Sequence, residues 1–575
     1  MSNDTLAERI KEQLPEIASE EAILAECVNL CKNYNVSAED FRFKIEALKF
    51  GQTGVTHLTL DTLATLKTIL QRERAAQSAS RAQPRSSLAI NFNFNRRNAP
   101  PRPAATAPHV KPEPTDGGLQ LKPGPSTVVL RGPSSSEEAR KKRAYRYMHE
   151  KLSARGNALD ERIDEFAERI REHYDIADIS DPSGSTSEEV TVVGRIVQDD
   201  DAAEDSSKLV EGGIALESSR NLGQGSRIPL RFNSDLRIRG GVQGGGSSIF
   251  FPGAIAALRG KNGGGGYFQV SEVLTLPPLL PTPDAKTEGD SAFSVVIASG
   301  PFTSDQDLNF QVFNKFMAKL PAHKPAVIIL MGPFLDALHP SIKAGDIDIP
   351  PQKLFRVRFL KPLKECLKAV PGSIALIIPS VRDIISDHAV FPQCELPATY
   401  ADDPESPIHL LPNPATFTLN GITFGATSAD VLFHLKKGEF GKRGQEVEPT
   451  PVMPDDVVND PMTNLCRHLL QQRSFYPVFP VPLDVANEVI LDVSHWDGLR
   501  MGVDDHDQGA PESAPDVLIL PSRFKQFSKT VYGTMALNPS FVYKGSYIVL
   551  DVAARGLEAE STRTRLSARI EKIEG

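Results

Sequence analysis

One tryptophan and five cysteines serve a chain of 575 residues. The cysteines (Cys27, Cys31, Cys366, Cys394 and Cys466) are odd in number and mostly far apart. Neither a disulfide framework nor a zinc site follows from such spacing. Long apolar runs are missing too. The longest, such as 326–331 and 374–378, have strand length, whereas roughly 18 consecutive apolar residues are needed to cross a bilayer. The first residues are polar and acidic, with no basic start followed by an apolar stretch, so no secretory leader is expected. Positive charge is the minority sign: 64 Lys+Arg stand against 73 Asp+Glu, a net charge of −9. A whole surface built to grip DNA is not expected from that balance.

What is present is unevenly distributed. Residues 76–146 hold 13 Lys+Arg and 4 Asp+Glu, a local +9, so the remainder carries −9 − 9 = −18. The same segment has 10 prolines between Pro84 and Pro133. Such a composition buries too little apolar surface to offset the entropy of ordering it. It therefore reads as a Pro-rich basic disordered linker, residues 76–143. Within it Leu88, Ile90, Phe92 and Phe94 alternate with polar residues. Two readings stay open there: a chance cluster, or a linear motif that adds as a strand to a partner. Lys141, Lys142 and Arg143 form a candidate nuclear import signal. Ser134 and Ser135 each lie three residues before a Glu and suit an acid-directed kinase.

Before the linker, Leu6, Ile10, Leu14 and Ile17 recur at helical spacing, and Ile23, Leu24, Cys27, Val28 and Cys31 form a second apolar face. Residues 1–75 therefore read as a helical partner-docking domain, with Cys27 and Cys31 in its core. After the linker, residues 144–186 form a helical lead-in through Leu159, Ile163, Phe166 and Ile170. The pattern then changes to five short strands at about 190–197, 208–216, 227–232, 254–259 and 268–274, between Gly-rich turns. That suits an OB-fold barrel, residues 187–285. Its few aromatics sit among apolar residues, so it reads as a structural module. Residues 286–575 alternate apolar strands with helices and suit an α/β domain of two packed sheets. Asn420–Gly421 marks a hairpin there, and 436–461 and 497–515 read as mobile surface loops.

Three strands of this last block end in loops of similar kind: Ser299-Gly-Pro-Phe-Thr303, Gly332-Pro-Phe-Leu-Asp336 and Pro379-Ser-Val-Arg-Asp383. A fourth is Pro521-Ser-Arg-Phe-Lys525. Their placement resembles the calcineurin-like metallophosphoesterases, in which Asp, Asn and His at successive strand ends hold two divalent metals that activate water. The resemblance implies where ligands belong, and here those slots hold Ser299, Pro301, Pro333, Ser380, Val381 and Arg382. Asp336 and Asp383 remain, too few for a two-metal site. The chain is thus expected to be a multi-domain α+β protein with a catalytically dead phosphoesterase-type two-sheet sandwich, no catalytic residue, no metal and no cofactor. The histidines His339, His388, His409, His434 and His495 lie away from the slots in sequence.

The runs Ile328-Ile-Leu-Met-Gly-Pro-Phe-Leu-Asp-Ala-Leu-His339, Asn420-Gly-Ile-Thr-Phe-Gly-Ala-Thr-Ser-Ala-Asp-Val-Leu-Phe-His434 and Gln472-Arg-Ser-Phe-Tyr-Pro-Val-Phe-Pro480 carry a narrower likeness. They resemble the B-subunit family of the replicative DNA polymerases, and within it the alpha branch. Phe251-Pro-Gly253 and Leu258-Arg-Gly260 match the barrel of that family. The resemblance implies a nuclear, non-catalytic scaffold. Such a scaffold holds the zinc-bearing C-terminal domain of a polymerase alpha catalytic subunit, reaches primase through the complex, and meets other replisome proteins through its N-terminal domain. It touches DNA only indirectly and no membrane. The delta and epsilon branches, and an active phosphoesterase, are the alternatives. Phe302, Phe334 and Phe524, apolar residues of the strand-end loops, are candidate interface anchors; packing inside the domain is the other reading.

Overall fold

The computed structural model describes residues 128–198, 209–281, 291–401, 406–502, 512–554 and 562–573, with residues 10–11, 21–34, 41–42, 45, 63 and 67 near the N-terminus. The chain divides into two compact units, Met1–Thr115 and Asp116–Gly575. In the first, helix α1 (Glu21–Tyr34) turns Ile23, Leu24, Cys27, Leu30 and Cys31 to one side. These join Ile10, Phe41, Ile45 and Leu63 in a small core, so both cysteines pack as apolar groups. Burial pushes the Cys31 thiol up to about 12, with Cys27 adding to the effect. Residues 88, 90, 92 and 94 of the candidate linear motif lie outside the described residues.

The second unit starts earlier than composition suggested. β1 (Leu130–Arg131) pairs antiparallel with residues 418–419, and α2 (Glu137–Arg143) follows, capped by Ser136. α2 buries none of its own residues. It is held to the body because Arg140 and Arg143 both reach the Glu395 carboxylate, each at 2.8 Å. The linker expectation therefore fails for residues 128–143: two ion pairs and two strand residues replace the apolar burial the segment lacks. Arg143 of the candidate import signal is engaged with Glu395 and the Ser134 carbonyl, while Lys141 and Lys142 are exposed. Ser134 and Ser135 are exposed as well.

α3 (Leu152–His173) then lays Ile163, Phe166, Ala167 and Ile170 against the barrel. The barrel strands are β2 (Val190–Gln198), β3 (Ile214–Glu217), β4 (Arg227–Arg239), β6 (Ile255–Lys261) and β7 (Phe268–Leu274), with a short β5 (Ser247–Phe250) between β4 and β6. Their order is β4-β3-β2-β6-β7, and a parallel β4–β7 pairing closes the ring. Closure removes the open edges. The strand expected from residue 208 begins only at Ile214, after a 3-10 turn at Glu211–Gly213.

The remaining strands are β8 (Phe293–Ser299), β9 (Val327–Met331), β10 (Ile374–Ile378), β11 (Ile408–Leu410), β12 (Ala415–Leu419), β13 (Ile422–Ala426), β14 (Phe440–Arg443), β15 (Gln445–Val447), β16 (Val517–Ile519), β17 (Phe527–Val531), β18 (Thr534–Asn538), β19 (Ser546–Val552) and β20 (Leu566–Lys572). Two six-stranded sheets result, ordered β11-β10-β9-β8-β19-β20 and β1-β12-β13-β16-β18-β17. β8, β9 and β10 run parallel, and every residue of β9 and β10 is buried. That is why their sequences are unbroken apolar runs. Between the sheets lie Val295, Ile329, Leu376, Phe417 and Phe424 among others. Helices α4 (Gln311–His323) and α5 (Lys361–Ala369) cover the outer face of the first sheet; α6 (Val431–Gly438) and α7 (Pro461–Gln471) pack with the second sheet and the barrel. The β12–β13 turn is Asn420–Gly421, both at positive φ, as the pair Asn-Gly favours.

Barrel and sandwich share one core. The Gln472 amide completes the backbone bonds of Ile255 on both sides at 2.9 Å and accepts from Arg162 at 3.1 Å. Gly253 sits at φ +94 where an added Cβ would meet the Pro477 carbonyl at 2.6 Å. The segment read as a mobile loop at 436–461 instead docks: β14 pairs with β5, and β15 extends the barrel along β4. Part of the other such segment, residues 503–511, lies outside the described residues. Among the described residues no helix is long and apolar enough to cross a membrane.

Candidate functional site

Parallel strands deliver their C-terminal ends to one edge of a sheet, which is where sites form in such folds. β8, β9 and β10 do so here, and the loops after β13 and β16 face them across the sandwich. Together these loops line a cavity of about 280 Å³. Its walls include Pro301, Pro333, Asp336, Ser380, Arg382, Asp430, Glu488, Arg523 and Tyr543.

Of the residues read from sequence, Pro301, Pro333, Ser380 and Arg382 do line this cleft. Ser299 and Val381 do not. Ser299 is buried and its hydroxyl donates to the Gly300 carbonyl, while Val381 turns into the core shared with the barrel. Asp430, Glu488, Phe541 and Tyr543 were missed. Asp430 follows β13, so the strand-end pattern that found the other loops would have found it. Glu488 comes from a 3-10 segment, Leu483–Glu488, and nothing in its local sequence marks it.

Two arginines organise the charge. Arg382 makes a two-pronged pair with Asp336, its Nε donating to Oδ1 at 3.0 Å and its Nη2 to Oδ2. Arg523 donates through Nε to Asp430 at 2.9 Å and through Nη2 to Glu488. It also lies over the Phe433 ring at 4.1 Å. Burial would lower the Arg523 pKa, but the Asp430 and Glu488 carboxylates outweigh that and raise it. For Glu488 burial pulls upward, and nearby His434, 3.8 Å away, together with the charges of Arg523 and Arg382 holds it low.

Asp383 is buried beneath the cleft. Its Oδ1 accepts the Phe334 and Leu335 amides, the latter at 3.1 Å, and its Oδ2 accepts the Ser380 amide at 2.8 Å. One carboxylate thus ties the second loop to the third. Burial pushes its pKa up to about 7 against the pull of those three amides, with Asp336 adding to the rise. The approach is close enough that Gly332 has no room for a Cβ, which would meet the Ser380 nitrogen at 2.7 Å.

These donors do not fit a metal pair. Both oxygens of Asp336 face Arg382, and both of Asp383 face backbone amides. Among the described residues no histidine lines the cleft. His339 caps a short helix and His434 bonds the Tyr476 hydroxyl at 2.8 Å. Among the described residues the one grouping of three metal-capable side chains, Glu150, Asp492 and His495, lies elsewhere.

Of the three candidate aromatic anchors, two take the inward-packed reading. Phe302 and Phe334 are each 1% exposed. They stack at 5.5 Å and meet Phe313 and Phe359 edge-on, so they fill the core under α4 and α5. Loop phenylalanines between two glycine–proline turns pack inward because the sheet offers an apolar layer beneath them. Phe524 is half-buried against Phe433.

Comparison with known proteins gives a consistent set of likenesses. The family model for the B subunit of DNA polymerases alpha and epsilon matches residues 295–529. The model for the OB domain of the DNA polymerase alpha B subunit matches residues 156–276. The DNA polymerase alpha B subunit of Schizosaccharomyces pombe is 32% identical over 417 residues, covering 70% of this chain and 66% of that protein. Its namesake in Saccharomyces cerevisiae is 30% identical over 461 residues, 73% of this chain and 62% of that one. The protein of the same name from Rattus norvegicus is 26% identical over 412 residues, 70% and 60% of the two chains. The matches thus span just under two thirds of these relatives' own length.

Proposed function

Because this chain belongs to the DNA polymerase alpha B-subunit family, we propose that it is a non-catalytic accessory subunit and works as a scaffold. The observation that carries the reading is the closed cleft: Arg382 occupies Asp336, and Asp383 is bound by three backbone amides. A phosphoesterase-type two-sheet frame, with strand ends where a metal pair would sit, is here held together by side-chain and backbone hydrogen bonds. Among the described residues the cleft lacks the several free oxygen and imidazole ligands that a two-metal mechanism needs.

In this reading the barrel and sandwich, one packed body, hold the C-terminal domain of the polymerase alpha catalytic subunit. Primase is reached through the complex, and the helical N-terminal unit meets other replisome proteins. The chain works in the nucleus. Lys141 and Lys142 on the exposed side of α2 serve import, and Ser134 and Ser135 are sites for an acid-directed kinase.

Affinity capture of the full chain from nuclear extract tests the proposal. Stoichiometric recovery of a polymerase alpha catalytic subunit together with primase is expected. Recovery of a delta or epsilon catalytic subunit without primase would overturn the assignment. Hydrolysis of a generic phosphodiester with manganese or magnesium, abolished by Asp336→Ala, would overturn the non-catalytic reading.

A further inference from the structure

We infer that the turn leading into α3, with the first turn of the helix, is a docking surface for an acidic amphipathic segment of a partner protein. Three large apolar side chains stand apart by exposure among the described residues: Leu483 at 95%, Met148 at 93% and Leu152 at 87%. The next, Val457, is at 53%. Met148 and Leu152 lie within one short segment. Single exposed apolar residues are ordinary, whereas grouped ones mark interaction sites. Leu483 stands four residues past Phe479, whose ring Arg155 of α3 covers at 5.4 Å.

The fold imposes this exposure. Tyr145 stacks on His495 at 3.5 Å, and its hydroxyl donates to the Pro392 carbonyl at 2.9 Å. Its own carbonyl accepts from His388 Nε2 at 3.0 Å, and the Tyr147 ring stands edge-on to His388 at 5.5 Å. Just past these anchors Met148 takes φ +59, a left-handed conformation that residues with a Cβ rarely adopt. The chain is thus pinned in a disfavoured state that turns a methionine into water. Leu152 lies three helical turns before the buried Ile163, on the same face of α3. The apolar stripe of the helix therefore runs past the edge of the barrel, and residues 151–155 are all exposed. Local rules broken together at one pinned place mark function, and pinning lowers the ordering cost of binding.

Charge decides the kind of partner. Arg146, Lys151 and Arg155 flank the two apolar side chains and are exposed. Among the described residues neither Arg146 nor Lys151 has an ion-pair partner. Glu150 is the one acid in 146–155, and it faces His495 at 3.5 Å. Three cations around an apolar pair, on a body whose sum is negative, match a partner with carboxylates beside apolar side chains. A nucleic acid would meet the cations and leave Met148 and Leu152 uncovered. An anionic lipid surface needs a long apolar helix face. Beyond its first turn α3 spends that face on the barrel.

The test uses the full chain and a fluorescein-labelled peptide of about five helical turns, with leucines at helical spacing and glutamates elsewhere. Binding is followed by fluorescence anisotropy. A matched peptide carries lysine for every glutamate and should bind about tenfold more weakly or worse. M148D/L152D should weaken the glutamate peptide about tenfold or more. V357D/I570D makes the same change at two other exposed apolar residues and should alter affinity less than about twofold. R146E/K151E should weaken binding and flatten its salt dependence. All these variants should keep the native urea-unfolding midpoint, since the side chains are exposed. No binding at about 1 mM peptide, equal losses in the two apolar double variants, or binding to phosphatidylserine vesicles in place of the peptide would overturn the inference. The readout is direct, so these outcomes are independent of which polymerase subunit the chain accompanies.

Discussion

In the strand-end cleft two arginines meet three mostly buried carboxylates, whereas on the barrel three arginines meet one buried carboxylate, Glu272, and two exposed ones, Glu189 and Glu448. The elements are the same and the outcome differs. In the cleft each guanidinium is met by carboxylates of its own, and the result is a closed knot that joins loops. On the barrel one buried carboxylate is shared by all three arginines, and Arg237 stays 41% and Arg259 34% exposed. Whether an arginine is structural or available is set by local stoichiometry and burial, not by the residue type.

Substitutions can break or sharpen that contrast, and Trp496, the sole tryptophan and buried in the body, reports on unfolding. Asp383→Ala should have the largest effect. It leaves three buried amides without their acceptor, at about 1–3 kcal/mol each, so urea unfolding should show a loss of at least about 3 kcal/mol. Gly332→Ala forces a Cβ against the Ser380 backbone and should cost about 2–3 kcal/mol by the same assay. Arg382→Ala strands a mostly buried Asp336 and should cost about 1–2 kcal/mol, less than a fully buried pair because Arg382 keeps 20% exposure. A double change on the barrel, R231E/K261E, should leave stability within about 0.5 kcal/mol, since both side chains are exposed. A loss as large as that of Arg382→Ala would mean that these barrel residues form a structural knot too.

The pH dependence of the cleft has a definite sign. Asp383 holds its proton up to about 7 in the folded state, against an ordinary 3.8 once unfolded. Between those values the folded form binds more protons, so this group's contribution to stability falls as pH rises from about 4 to about 7 and is level above that. Melting curves of the native chain and Asp383→Asn across that range should differ by this slope. Parallel pH profiles would show that Asp383 is ionised throughout.

The strand-end loops could be read because five-residue apolar runs followed by Gly–Pro or Pro–Ser have few other meanings in an alternating α/β pattern. Pro301, Pro333, Ser380 and Arg382 were found that way. The direction of Phe302 and Phe334 was not readable, since a loop phenylalanine looks the same whether it faces solvent or an aromatic core. The end of the linker was misplaced for a related reason. α2 is charged throughout and looks unstructured, yet Glu395, some 250 residues later, secures it through Arg140 and Arg143. The barrel arginines were overlooked because each stands on its strand as an isolated outward residue.

Sequence alone determined most of the element types, the two-layer core and which side chains stand at the strand ends. Those follow from apolar periodicity and side-chain chemistry, which are local properties. Tertiary structure decided which charges meet. Asp336 with Arg382, Glu488 with Arg523 and Glu272 with its three arginines are brought together by strand register and loop approach, so their charge balance exists only in the folded chain.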